Sequence, residues 1–270
     1  AGEEVEGEYR LAGERQVLEI ADRIIASTQA EVAQLQWLYQ AYDVPVAVIP
    51  PGVDLSRFYP IPFDEAKEFV GVPPCDRMLL YVGRVEPLKG IDTLIEAIAS
   101  ILQQGIFKEG SMCLAIIGGD PDASEEKMTA EMLRLKELCD RYGLGDMVTF
   151  LGKRDQDTLP YYYSAAEAVV MPSQYESFGM VALEAMACGT PVVASEVGGL
   201  AFLVRDGETG YTVPASDPEA LAAKLKDIII DKDLRHRMGE QAAEFAQGYD
   251  WHLIADQVVN LYQDVIDDPL

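Results

Sequence analysis

Histidine is nearly absent: His236 and His252 are the only two in 270 residues. Both fall in stretches of helical periodicity near the C-terminal end, so no histidine-based metal cluster and no Ser/His/Asp triad is available. There is no Gly-x-Gly-x-x-Gly dinucleotide fingerprint, which weighs against a dehydrogenase, and no Gly-x4-Gly-Lys-Ser/Thr phosphate loop. No apolar run approaches the roughly 18 residues of a spanning helix. The acidic start at Ala1 is unlike a basic-then-apolar signal peptide. A soluble, cytoplasmic protein with no integral membrane segment is expected. The four cysteines (Cys75, Cys113, Cys139 and Cys188) show no Cys-x-x-Cys spacing, and we expect them to be reduced, small core residues.

Basic residues are also scarce. Lys and Arg number 21 against 46 Asp and Glu, a formal charge of −25. Such a chain offers no basic face to nucleic acid or to an anionic membrane surface. If it binds an anion, it must use a few placed cations and backbone N–H groups.

What the sequence does have is apolar residues, 49% of the total, and a regular alternation of short apolar runs with helical patterns. Residues 14–22 have helical spacing, 23–27 read as a strand, 29–42 as a helix and 44–49 as a strand, one βαβ unit. The proline-rich stretch 50–62 lacks periodicity and is the candidate linker. From residue 64 the pattern continues with strands at 77–83, 112–118, 147–151, 168–171, 191–195 and 211–213. Helices are expected at 91–104, 125–142, 155–166 and 179–188, and three more at 217–230, 233–247 and 251–266. Strict alternation predicts an α/β fold, a doubly wound, Rossmann-like parallel sheet covered on both faces.

In such a sheet ligands bind where strands end at their carboxyl edge. The stretch from Met171 to Pro191 lies at one such end: a polar loop, then a helix that Gly189 and Pro191 terminate. Glu176 sits in the loop and Glu184 in the helix. The N–H groups of Phe178, Gly179, Met180 and Val181 belong to the first turn, which leaves them free for a phosphate. An anion site between two carboxylates suits a ligand that is part phosphate and part polyol, such as a nucleotide sugar. On spacing alone an ordinary α/β connection fits equally well. A second strand end carries Gly83, Arg84 and Lys89, with a turn-permitting glycine and two cations before a helix. Both loops should open on one sheet edge, which favours a shared site. Arg154 follows a third strand on that edge, where a solvated surface arginine is an equal alternative. Gly118-Gly119-Asp120 reads as a supporting loop, and Tyr161-Tyr162-Tyr163 as core and surface packing.

The run from Glu176 to Ser195, continuing through Gly198-Gly199-Leu200 and Asp206-Gly207-Glu208-Thr209-Gly210, resembles the Glu-x7-Glu signature of the retaining glycosyltransferases of family 4. It is most similar to the inositol-phosphate N-acetylglucosaminyltransferase and sucrose-phosphate-synthase-like group. The resemblance implies the C-terminal half of a GT-B-type enzyme that transfers a hexosyl unit from a UDP- or GDP-sugar to a hydroxyl of a sugar, polyol or glycan. It implies that Glu184 holds ribose hydroxyls and that Glu176 positions hydroxyls of the transferred sugar. By the same resemblance Phe178 to Met180 meet the diphosphate and sugar through backbone N–H groups, Arg84 and Lys89 stabilise the leaving diphosphate, and Arg154 borders the base. No metal or other cofactor is expected. Residues 1–50 resemble the last βαβ portion of an acceptor domain, 51–62 the linker, 63–248 the donor domain and 249–270 the helix that crosses back. The chain would then carry mainly the donor site, with apolar surface on 1–50 that self-association would cover. A non-catalytic nucleotide-sugar-binding module is the alternative.

Overall fold

The computed structural model describes residues 8–71, 77–105, 111–121 and 128–267. Helix α1 (Glu8–Ile20) leads into strand β1 (Ile24–Ala26), helix α2 (Gln29–Tyr39) and strand β2 (Val46–Val48). The two strands pair in parallel, Ile24 opposite Val46, as the βαβ pattern requires. Thr28 caps α2 by accepting from the Glu31 N–H at 3.1 Å, while the Glu31 carboxylate accepts from the Ser27 N–H at 2.6 Å. This is close to a capping box, with the Glu31 carboxylate reaching the amide one residue before the N-cap rather than that of the N-cap itself. A left-handed Gln40 stops α2 at Tyr39, short of the expected Tyr42.

Residues 50–62 form no helix and only an isolated bridge at Val53, but the segment is not slack. Val53 and Phe58 are only 1% and 4% exposed and belong to the main core. The Val53 N–H donates to the Tyr249 carbonyl at 2.8 Å, and the Trp251 N–H to the Val53 carbonyl at 3.3 Å. Helix α3 (Phe63–Val70) follows, which the sequence reading missed. Two prolines just before it, at 60 and 62, mask a short stripe of Phe63, Ala66 and Val70.

Then come β3 (Arg77–Val82), α4 (Ile91–Gln103), β4 (Met112–Ile117), α5 (Ala130–Tyr142), β5 (Val148–Gly152), α6 (Leu159–Ala165), β6 (Ala168–Met171) and α7 (Met180–Ala187). The chain continues with β7 (Val192–Ser195), α8 (Leu200–Leu203), β8 (Gly210–Val213), α9 (Pro218–Ile230), α10 (Lys232–Ala246) and α11 (Trp251–Asp267). The expected start of α5 at residues 125–127 lies outside the described residues. So do residues 1–7 and 268–270 of the expected end segments.

The six strands from β3 onward form one parallel sheet in the order β5-β4-β3-β6-β7-β8. The chain winds outward from β3 to β5, then returns to lay β6 on the other side of β3. That reversal is the topological switch point of a doubly wound sheet, where a crevice opens between adjacent strand ends. Both faces are apolar, as a buried parallel sheet demands. Met78 and Leu80 of β3 face one core, with α6, α7 and α10; Leu79 and Tyr81 face the other, with α4, α5 and α9.

One expectation fails in the core. Cys113, on β4, is disulfide-bonded rather than a reduced thiol, and the Cys75 expectation lies outside the described residues. Spacing along the chain does not register which strands and loops meet in space. Cys139 and Cys188 are free and buried, as expected.

Candidate functional site

Two loops leave the sheet at the switch point and are locked together. After β3 the chain passes Gly83 and Arg84 into a short 3-10 turn, Pro87–Lys89, and Gly90 then opens α4 in the left-handed region at φ 63°. After β6 runs the loop 172–178. The Gln174 N–H donates to the Leu88 carbonyl at 2.8 Å, joining the two loops. Gly90 packs so closely on the second loop that a Cβ there would stand 2.0 Å from the Pro172 oxygen. Only glycine supplies both the dihedral and the space. The second loop is held from its other side by the Gly199 N–H, which donates to the Glu176 carbonyl at 3.0 Å.

Between these loops lies a pocket of about 260 Å³. Its walls include Gly83, Arg84, Lys89, Glu176, Phe178, Gly179, Met180 and Val181, eight of the ten expected site residues, together with Tyr81, Ser173 and Ser177. Lys89 Nζ meets Glu176 Oε2 at 2.6 Å, with the side chains only 19% and 15% exposed. A charge-assisted bond shielded from water is worth more than a surface pair. It leaves a neutralised cation and carboxylate facing the pocket. Arg84 differs: its side chain is 76% exposed and pairs with Glu86 at 2.8 Å.

Helix α7 aims its amino end at the pocket. Gly179 is its N-cap, at φ 107°, and the Gly179 carbonyl accepts from the Leu183 N–H at 3.1 Å. The amides without an intrahelical acceptor are therefore those of Gly179, Met180, Val181 and Ala182. That set begins one residue later than the expected one. Phe178 instead buries its ring, tilted against Tyr249.

Tyr81, which the sequence did not single out, lies under the first loop. Burial, then the charges of Glu176 and Glu86, push its phenol well above the ordinary range, so it stays protonated. It donates to the Arg84 carbonyl at 2.8 Å and so shapes the turn that presents the cations.

Glu184 does not line this pocket. It sits one turn further along α7, four residues from Met180 and hence on the same helix face. Burial raises its pKa, opposed by a hydrogen bond from Tyr163 and by the charge of Arg57. Arg57 comes from the linker and reaches the β5–α6 loop, donating to Gln156 Oε1 at 2.7 Å. It is a cation that sequence reasoning missed, because nothing in the spacing links residue 57 to residue 184. Arg154 is also outside the pocket. Its Nε donates to the Tyr162 hydroxyl at 2.9 Å and its Nη1 to the Lys153 carbonyl at 3.0 Å. Gly118 supports the first loop from behind, where a Cβ would stand 1.9 Å from the Gly83 oxygen.

A larger groove of about 820 Å³ lies at the amino ends of β6 and β7, between residues 60–64, the α7–β7 turn and α10. None of the expected site residues lines it. Size does not outweigh placement here, since the carboxyl edge holds the free helix amides and the shielded Lys89–Glu176 pair. Among the described residues no three His, Cys, Asp or Glu side chains gather to hold a metal ion. No helix among them is long and apolar enough to cross a membrane.

Comparison with known proteins agrees with this architecture. Residues 62–245, more than half of the chain, match the family described as glycosyl transferases group 1. The chain is 41% identical to D-inositol 3-phosphate glycosyltransferase 2 of Catenulispora acidiphila, over 99% of this chain and 62% of that protein. It is 42% identical to the D-inositol 3-phosphate glycosyltransferase of Kribbella flavida, over 94% of this chain and 59% of that protein. The chain thus spans about three fifths of the length of these curated relatives. Among solved structures it superposes on sucrose-phosphate synthase from Thermosynechococcus elongatus with a TM-score of 0.85 and 39% identity, covering 99% of this chain and 64% of that one. It also superposes on HepE from Anabaena, solved with UDP and glucose, with a TM-score of 0.80 and 25% identity, covering 96% of this chain and 68% of that one. With its GT-B-type sheet and its loops at the switch point, the chain belongs to the group 1 glycosyl transferase family.

Proposed function

We propose that this chain carries the donor half of a retaining hexosyltransferase, of family 4, that moves a sugar from a UDP- or GDP-sugar to an acceptor hydroxyl on a sugar, polyol or glycan. The observation that carries the reading is the meeting, at one switch point, of the shielded Lys89–Glu176 pair and the free amides that open α7. In this reading the amides and Lys89 hold the diphosphate, with Gly83 giving it room and Arg84 swinging in from solvent. Glu176 positions hydroxyls of the transferred sugar, Glu184 the ribose hydroxyls, and Arg154 borders the base. The likeness to HepE, solved with UDP and glucose, favours a uridine donor.

The chemistry is electrostatic. The bond from the sugar's anomeric carbon to the diphosphate oxygen breaks, and the acceptor oxygen bonds that carbon on the same face. The acceptor proton passes to a donor phosphate oxygen. Lys89 and Arg84 stabilise the charge left on the diphosphate as it departs, without a metal ion. Residues 1–50 then belong to the acceptor domain, 51–62 to the linker, 63–248 to the donor domain and 249–270 to the crossing helix. In keeping with this, α2 has no buried residue, and Trp37 and Tyr42 are exposed, a face that self-association would cover. A cytoplasmic location fits a chemistry that consumes nucleotide sugars.

Calorimetric titration with UDP, GDP and their sugar conjugates tests the reading. We expect binding below the millimolar range and little transfer by this chain alone. No binding of either nucleotide at millimolar concentration overturns it. Binding without transfer even in the presence of a complete acceptor domain would favour a non-catalytic nucleotide-sugar module.

A further inference from the structure

Tyr163, on α6, is fully buried, yet its hydroxyl has a defined partner. It donates to Glu184 Oε2 at 2.7 Å. The two helices that carry the pair are tied at their backbones. Thr190 Oγ1, just past the end of α7, donates to the Tyr163 carbonyl at 2.7 Å, and Ser164 Oγ reaches the Cys188 carbonyl at 3.5 Å. The Ile61 N–H in turn donates to Ser164 Oγ at 3.1 Å. The phenol therefore cannot drift from the carboxylate without breaking buried polar contacts, and a buried donor left unpaired is costly.

The other oxygen of Glu184 is different. No described residue donates to Oε1, and it is not among the buried atoms that lack a partner. It therefore keeps some contact with solvent, on a residue that shares its helix face with Met180. One oxygen is fixed inward, and one is presented outward.

We propose that Tyr163 is a positioning residue for the nucleoside end of the donor: it clamps Oε2 of Glu184 so that Oε1 is held out toward a vicinal diol. The assignment rests on the nucleotide-sugar reading given above. It also has an electrostatic side. Burial raises the Glu184 pKa, and the groups facing it that oppose the rise are Tyr163 from α6 and Arg57 from the linker. Cys188, just past the end of α7, is kept neutral by burial. The Tyr163 phenol, its own pKa pushed far up by burial and by the Glu184 charge, is a donor at every working pH. A fixed donor favours the ionised form against burial, and an ionised carboxylate can accept from the hydroxyls of a diol.

The test uses Tyr163→Phe, which keeps the buried ring and removes only the donor. Affinity for UDP and for inorganic pyrophosphate is measured by calorimetry from neutral to mildly acidic pH, for the unaltered chain, Y163F, E184A and the double variant. We expect Y163F to lose about tenfold in UDP affinity, a ΔΔG typical of one lost hydrogen bond to a charged group, with pyrophosphate unaffected. The loss should grow as pH falls, because Glu184 without its donor takes up a proton at higher pH. In the E184A background, Y163F should cost nothing further, since a residue that acts only through Glu184 has no route left. Thr190→Val, which frees the Tyr163 carbonyl but leaves both site groups in place, should show a smaller UDP-selective loss.

Unchanged UDP affinity in both Y163F and Thr190→Val overturns the assignment. So does an equal loss for UDP and pyrophosphate, or a full additional loss in the E184A background. Failure of the folded, unaltered chain to bind UDP at all is a different result: it overturns the nucleotide-sugar reading itself, and this assignment with it.

Discussion

Lys89 reaches the pocket already paired, its ammonium 2.6 Å from Glu176 with little water around either group. Arg84, the other expected cation, stands mostly in solvent against Glu86. The two are therefore not equivalent, although the sequence places both in one short loop. Lys89→Ala removes the shielded cation and leaves Glu176 charged beside any incoming phosphate. We expect UDP binding to weaken by about 1.5–3 kcal/mol, the range for hydrogen bonds to charged groups. Arg84→Ala should cost less, because an exposed pair contributes about 1 kcal/mol at most. Calorimetry on the two variants checks the order, and an equal loss would mean that Arg84 swings fully into the site. Eight of the ten expected residues come together at this pocket because strand ends and a helix start are local patterns. The sequence did not show Tyr81, Tyr163 or Arg57, whose roles come from tertiary approach rather than from neighbours along the chain. Tyr163 even read as plain packing, which its ring is and its hydroxyl is not.

At the scale of elements, the site depends on how the loops after β3 and β6 are welded. The weld has three parts: the Gln174–Leu88 hydrogen bond, the Lys89–Glu176 pair and the contact of Gly90 with Pro172. Gly90→Ala attacks the third. Its Cβ would stand 2.0 Å from a backbone oxygen, at a left-handed φ of 63°. Backbone strain of this kind costs on the order of 1–3 kcal/mol, and here the clash adds to it. We expect a lowered melting temperature and a loss of UDP affinity together, because the 3-10 turn holding Lys89 must move off the second loop. Retained affinity at a lowered melting temperature would show that the weld serves stability alone. Nearly all helices and strands were legible from periodicity, since apolar runs of the buried sheet stand out against amphipathic helices. Helices α3 and α8 were not, because eight residues behind a proline pair and a single turn of four residues give too few repeats to reveal a period. The start of α7 was misplaced by one amide, since Gly179 reads as the first helical residue when its left-handed dihedral is not visible.

Across the whole molecule, acidity is managed mostly by exposure, with a few carboxylates taken inside. Glu167 is one of them. Only 3% exposed, it faces Arg235, whose Nε lies 2.5 Å from Oε2. That oxygen lacks a well-directed hydrogen bond, so the contact is an ion pair of poor angle. Burial raises the Glu167 pKa, opposed first by Arg235 and then by Lys67, Arg77 and Lys232. A carboxyl that is more basic in the folded chain than in the unfolded one binds its proton preferentially when folded. Its stabilising contribution is present below the ordinary value of 4.5 and is lost as pH rises through the raised folded value. Acidification from neutrality toward that window should therefore add stability through Glu167. In Glu167→Gln, which cannot titrate, that gain should be absent. Denaturant midpoints of the two proteins from neutral to mildly acidic pH check this, and parallel curves would contradict it.

The contact between the linker and the start of α11 also bears on how the chain can be cut. Val53 pairs with the backbone on both sides of Asp250, and a Cβ on Gly52 would meet the Trp251 side chain at 2.8 Å. Residues 52–53 and 249–251 thus form a single seam. Trimming the C-terminal segment before Tyr249 would strip Val53 of its backbone partners and uncover Gly52. The stretch from Tyr249 into α11 is in this sense a fastener for residues 52–53, and the six-stranded sheet excised without it would carry a frayed edge beside the pocket wall, where Tyr249 backs Phe178.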